Sequence, residues 1–133
     1  MHITKDNINQ FINGSSMDCS SKGITHIEYI PDGITRLFCR NNKLTELPKL
    51  PESLISLCCE NNKLTELTKL PESLKHLFCE NNKLTELPKL PDGLKYLYCY
   101  NNNLPYKVTI DNIKEHNKLI KRKQILEKIR LYH

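Results

Sequence analysis

Cysteine and histidine are the side chains of this sequence best suited to nucleophilic, redox or metal chemistry, and there are six of the first and five of the second in 133 residues. Cys19, Cys39, Cys59, Cys79 and Cys99 recur at a constant interval of 20 residues, with Cys58 directly before Cys59. Six thiols in a short chain suggest disulfides or a metal, yet no CxxC or CxH spacing favours zinc. Adjacent Cys58 and Cys59 point to opposite sides of an extended strand and chelate poorly together. Neighbouring members of the column would lie about 5 Å apart, within disulfide reach by distance, but their side chains project in parallel. The favoured reading is a column of buried free thiols behaving as small hydrophobes, with disulfides or a metal as the alternatives. The histidines are scattered, and the sequence has no Gly-rich phosphate loop, GxSxG or HExxH. No catalytic residue, cofactor or metal is therefore expected, and the chain reads as a non-enzyme.

The elements that position these residues follow from the same interval. Pro31, Pro51, Pro71 and Pro91 keep it too, and the segments between are nearly copied: NNKLTELPKLPES, NNKLTELTKLPES and NNKLTELPKLPDG. A unit of this size cannot bury its own apolar side chains, whereas stacked units share one core. In the unit around Cys59 the inward positions are Leu54, Leu57, Cys59, Leu64, Leu67 and Leu70. The prolines, for example Pro48 and Pro51, predict an extended or polyproline-like half-turn, with Thr68 in place of one of them.

Written as LxxLxCxxNxLTxLPxLPxx, the unit resembles the leucine-rich-repeat family and its core pattern LxxLxLxxNxL, which Leu54, Leu57, Cys59, Asn62 and Leu64 match. The LPxLP half is similar to the short 20-residue (YopM/IpaH-like) subclass of bacterial effectors, as also found in giant-virus leucine-rich-repeat proteins. The resemblance covers residues 14–106. It implies an α/β solenoid, a right-handed horseshoe with short parallel strands on a concave face and an extended convex side. Five 20-residue repeats span 14–106, between an N-terminal capping helix (1–13) and a basic C-terminal capping helix (107–133). The ubiquitin-ligase domain that follows the repeats of IpaH-type effectors is not carried over. Asn42, Asn62, Asn82 and Asn102 fall in the family's Asn column, where the amide is expected to bond unpaired backbone groups. The first unit is atypical, with Lys22 at the Asn position and Glu28 where Pro48 falls later.

Caps are required because a solenoid end exposes a sliced core and an open sheet edge. At the N-terminus Thr4 is the expected helix N-cap, with Ile3 and Ile8 as a hydrophobic staple, Phe11 and Ile12 on one face and Gly14 as stop. At the C-terminus a helix is expected after Thr109 or Asp111, with apolar residues on two sides.

Function is expected on the strand positions that alternate with the core, because they vary while the rest is copied. One column reads Arg36, Ser56, His76, Tyr96; the next Phe38, Cys58, Phe78, Tyr98; the third Arg40, Glu60, Glu80, Tyr100. Exposed aromatics on a rigid sheet are typical anchors of protein interfaces, although Phe38, Phe78 and Tyr98 also have the spacing to stack across strands. The expected function is protein binding through this face, as a host-interaction or effector protein.

Charge supplies the alternative. Residues 1–106 balance, 12 basic against 12 acidic, so the whole net charge of +5 resides in 107–133. Lys114, Lys118, Lys121, Arg122, Lys123, Lys128 and Arg130 form a basic patch that would suit nucleic acid or an anionic membrane. Its bland counterpart is a solvated face of a capping helix. No apolar run approaches the roughly 20 residues of a membrane span, and the N-terminus lacks a secretory pattern. An intracellular, cytoplasmic protein, of the producing cell or of a host, is expected, as a monomer, with weak self-association through its edges as the alternative.

Overall fold

A computed structural model describes residues 1–132. The middle of the chain is a repeat solenoid of about five stacked turns, followed by one helix. The strands, in chain order, are β1 (His2–Ile3), β2 (Ile12–Asn13), β3 (Ser16–Asp18), β4 (His26–Ile27), β5 (Arg36–Phe38), β6 (Ser56–Cys58), β7 (His76–Phe78) and β8 (Tyr96–Tyr98). Strands β3, β5, β6, β7 and β8 form a parallel ladder in which each residue pairs with the one 20 positions later, as Leu37 with Leu57 and Leu57 with Leu77. That register places every copied leucine behind its predecessor.

The local sequence dictates each coil. A turn opens it, closed by the Leu54 N–H on the Pro51 carbonyl at 3.1 Å, with equivalents at Leu74 and Leu94. Three strand residues follow, and then the paired asparagines reverse the chain. The first of each pair, Asn41, Asn61, Asn81 and Asn101, has a φ between 55° and 58°, the left-handed region that Asn tolerates better than most residues. The half-turn that follows is extended, as its prolines predict, since they lock φ and remove donors.

Met17, Leu37, Leu57 and Leu77 are fully buried in one column, and Cys19, Cys39, Cys59 and Cys79 in the next. All six cysteines are free thiols. Leu97, in the last coil, is only partly buried.

The N-terminal cap departs from the expected helix. It is a single 3-10 turn, Ile8–Phe11, between β1 and β2. The Asn7 side chain accepts from Thr4 N–H and donates to the His2 carbonyl, which ties residues 2–7 into a turn. Residues 12–13 are drawn away by antiparallel pairing with β3 across Gly14–Ser15, where Gly14 has a φ of 62°. A Gly-Ser pair with a positive φ at its first residue is a hairpin turn and competes with helix. Ile3, Ile8 and Phe11 still cover the core, and β1 pairs in parallel with β4 on the opposite half of the coil. Both halves of the core are thereby covered at this end.

At the other end a 3-10 turn (Ile110–Asn112) opens α1 (Ile113–Leu131), with the Thr109 N–H held by Asn112 Oδ1 at 2.9 Å. Only the beginning of α1 packs closely. His116 is buried, its Nε2 donating to the Pro88 carbonyl at 2.9 Å and its Nδ1 accepting from the Tyr106 hydroxyl at 2.7 Å. Asn117 bonds both the N–H and the carbonyl of Leu90. The helix therefore turns back along the half-turn of the fourth coil, and residues 121–132 are exposed. His133, the last residue of the expected helix segment, lies outside the described residues. Among the described residues no helix is long and apolar enough to cross a membrane.

Candidate functional site

The side chains of the parallel ladder that point away from the core form a grid, with neighbouring rows about 4.8 Å apart. Pairing aligns Arg36, Ser56, His76 and Tyr96 in one column and Phe38, Cys58, Phe78 and Tyr98 in another. Arg40, Glu60, Glu80 and Tyr100 stand two residues further along. The first coil adds a row not identified from sequence: Ser16 pairs with Arg36 and Asp18 with Phe38. Its signal was the Cys19 register, which puts Asp18 where the later coils carry Phe, Cys or Tyr.

The face is graded from end to end. Asp18, Arg36 and Arg40 are exposed charges at one end. The Ser20 backbone N–H, donating at 3.0 Å, holds the Asp18 carboxyl below its usual range, so the group is ionised. At the other end Tyr96, Tyr98 and Tyr100 are 55%, 46% and 57% exposed. Phe78 and Tyr98 stack at 5.3 Å with their rings 14° from parallel, and His76 meets Tyr96 at 5.3 Å. Phe38 takes no part in this stack, because Cys58 intervenes in the column.

The third and fourth rows are not wholly solvent-facing: Ser56 and Cys58 in the third, and Glu80 in the fourth, are only 9%, 8% and 7% exposed. Small side chains between larger neighbours are overshadowed by them. The Ser56 hydroxyl spends itself on His76 Nδ1 at 2.6 Å. Among the described residues no carboxylate bonds the other ring nitrogen of His76.

Glu60 and Glu80 stand side by side on adjacent rows, and among the described residues no donor group reaches the buried Oε1 of either carboxylate. Burial, and then the Glu60 charge, push the Glu80 carboxyl above its usual range. A carboxyl whose pKa is raised by folding stabilises the fold fully below its unfolded value, and that contribution disappears as pH rises through the folded value. Glu80→Gln is expected to raise the thermal midpoint by a few degrees at neutral pH and to leave it nearly unchanged near pH 4. Melting both proteins across that pH range checks the sign, and a Gln variant less stable at neutral pH contradicts it.

The thiols do not offer nucleophiles. Burial pushes Cys19 up to about 12 and Cys58 to about 11, and raises Cys39, Cys59, Cys79 and Cys99 as well. Each is protonated at neutral pH, and the thiolate is the reactive form. Among the described residues no group of three or more His, Cys, Asp or Glu is placed to hold a metal ion.

The paired asparagines are structural in geometry. Asn62 Oδ1 accepts the Leu44 N–H at 3.0 Å, and its amide donates to the Cys39, Cys59 and Glu60 carbonyls. Asn42, Asn82 and Asn102 bond in the same way. Outside them runs a second ladder not read from sequence, with Asn61 donating to Asn41 at 2.8 Å and Asn101 to Asn81 at 2.7 Å.

The basic residues of α1 form a separate surface. Lys114, Lys118, Lys121, Arg122, Lys123, Lys128 and Arg130 are all exposed. Lys114, Lys118 and Lys121 share a side by their spacing. Lys123 turns to Glu86 at 2.9 Å, and that carboxylate raises its pKa. The same helix leaves Ile125, Leu126 and Ile129 about half exposed.

No protein-family model matches the chain, and no curated protein matches it.

Proposed function

We propose that the chain is a non-catalytic protein-binding module of leucine-rich-repeat type, with the graded sheet face lining the concave side of a horseshoe and receiving one partner protein. The observation that carries this reading is the contrast between copied and varied positions. Everything that builds the coil repeats almost letter for letter, whereas the outward strand residues change from charged to small to aromatic along five rows in strict register. Large aromatics fixed on a sheet contribute contact area with little loss of side-chain freedom, and Tyr is enriched among residues that dominate interface energy. The domain boundaries at 13/14 and 106/107, an intracellular setting and an effector role belong to the same proposal.

Tyr96→Ala combined with Tyr98→Ala is expected to weaken capture of the partner by about 100-fold, through loss of two anchors of roughly 1–2 kcal/mol each. The far-ultraviolet spectrum and melting midpoint should change little, since both rings are about half exposed. Undiminished capture by the double variant rejects the reading. A second reading rests on the exposed basic and aliphatic surface of α1: there, binding to RNA or anionic vesicles is steeply salt-dependent and vanishes when Lys114, Lys118, Lys121 and Arg122 become Glu.

A further inference from the structure

The two ends of the parallel sheet are finished differently. Each strand donates from its Cys to the next strand: Cys39 N–H to the Cys58 carbonyl at 2.9 Å, Cys59 to Phe78 at 2.8 Å and Cys79 to Tyr98 at 2.9 Å. Cys99 and Asn101, which follow β8, stand at the equivalent positions of the last coil, but among the described residues no acceptor meets their N–H groups. Leu97 is partly buried where Leu77 is fully so, and a hollow of about 460 Å³ beside it is lined by Leu97, Leu104, Tyr106 and Val108. Helix α1 does not shield this end of the ladder, because His116 and Asn117 anchor it to Pro88 and Leu90 on the other side of the coil.

We infer that the open edge of β8 pairs with β8 of a second copy of the chain, antiparallel and tail to tail. Three features select a second copy. First, the edge is Tyr96–Leu97–Tyr98, without the charge or proline by which sheet edges usually repel other strands. Under a two-fold axis at Leu97, Tyr96 of one copy opposes Tyr98 of the other, so no like charges meet. Second, the sheet already ends at its N-terminal side in an antiparallel strand, β2 on β3. The same geometry at β8 extends an arrangement this sheet uses. Third, an antiparallel contact about a two-fold axis uses the β8 edge of both copies at once, so no further β8 edge is left and the assembly stops at two. The pairing joins two partner-binding faces into one continuous surface, but it does not depend on the proposed function.

Sedimentation equilibrium of the purified chain alone tests the inference. A concentration-dependent monomer–dimer equilibrium is expected. Tyr96→Lys with Tyr98→Lys should raise its dissociation constant by at least about tenfold through like charges facing each other, with the circular dichroism unchanged. Ile125→Lys with Ile129→Lys, on the exposed helix, should leave it unaltered. As a check on register, the double variant Tyr96→Cys, Tyr98→Cys should oxidise to a covalent dimer while neither single variant does. A chain that stays monomeric at every concentration overturns the inference. So do growth beyond dimers, and a dimer that the helix substitutions abolish and the tyrosine substitutions spare.

Discussion

Asn62→Ala lowers the unfolding free energy by about 3–5 kcal/mol, the largest effect expected of any single polar substitution in this chain. The amide serves four backbone groups of two coils, the Leu44 N–H and the Cys39, Cys59 and Glu60 carbonyls. Leu44 and Cys39 are fully buried, so water does not replace what alanine removes. Each buried backbone group left without a partner costs about 1–3 kcal/mol, and at least two are orphaned together. Against a typical total of about 5–15 kcal/mol, that is a large share. Asn61→Ala, one residue away, is the control. It loses an exposed bond to Asn41 and a residue suited to the left-handed region, and should cost clearly less. Urea titrations of the two variants give the comparison, and equal losses would show that the inward amide has no special role.

Leu77→Ala is expected to cost about 3–4 kcal/mol, whereas Leu97→Ala, in the same column one coil later, costs under about 2 kcal/mol. Leu77 lies between Leu57 and Leu97 and is fully buried; its removal leaves a cavity that rigid neighbours on both sides fill poorly. Leu97 has a neighbour on one side only and faces solvent on the other. Because the coils contact only their nearest neighbours, a defect in the middle also weakens two interfaces, and a defect at the end weakens one. The midpoint shift in urea, with an unchanged slope, measures the difference. An equal cost at the two positions would mean that the last coil is capped as tightly as the fourth.

The tyrosines of β8 occupy the point where these stability arguments meet function. The coil that is least buried carries the largest exposed side chains and an unpaired edge. The fourth coil, under the anchored start of α1, carries the stacked Phe78 and the buried Glu80. The proposed binding and self-pairing would both fall at the end of the stack where ordering a ligand disturbs the least core.

How much of this was legible beforehand differs between repeated and unrepeated residues. A 20-residue interval states that Leu37, Leu57 and Leu77 occupy equivalent environments, and stacking such units permits one inward column for them and another for the thiols. Proline in the half-turn excludes helix there for reasons internal to the residue. Paired asparagines at each bend carry the signal of a left-handed first member, although that ladder was not identified. The Gly-Ser pair at 14–15 also carried its signal, a hairpin, which the helix-like run before it obscured. The reading of Gly14 as a helix stop missed the fact that Ile12 and Asn13 gain more from pairing with β3 than from another helical turn.

The order of the coils, the columns of the core and the alternation of the outward face were determined by the sequence alone, because each is the same local preference stated five times and reinforced by its neighbours. Only the tertiary structure decided what happens where repetition stops. It showed that the core at the N-terminal end is covered by two short strands and a 3-10 turn, that α1 folds back along the fourth coil, that Ser56, Cys58 and Glu80 are covered while three tyrosines are not, and that β8 is the edge strand at the other end. Those outcomes rest on single contacts between residues far apart in the chain, such as Asn117 with Leu90, and no periodicity encodes them.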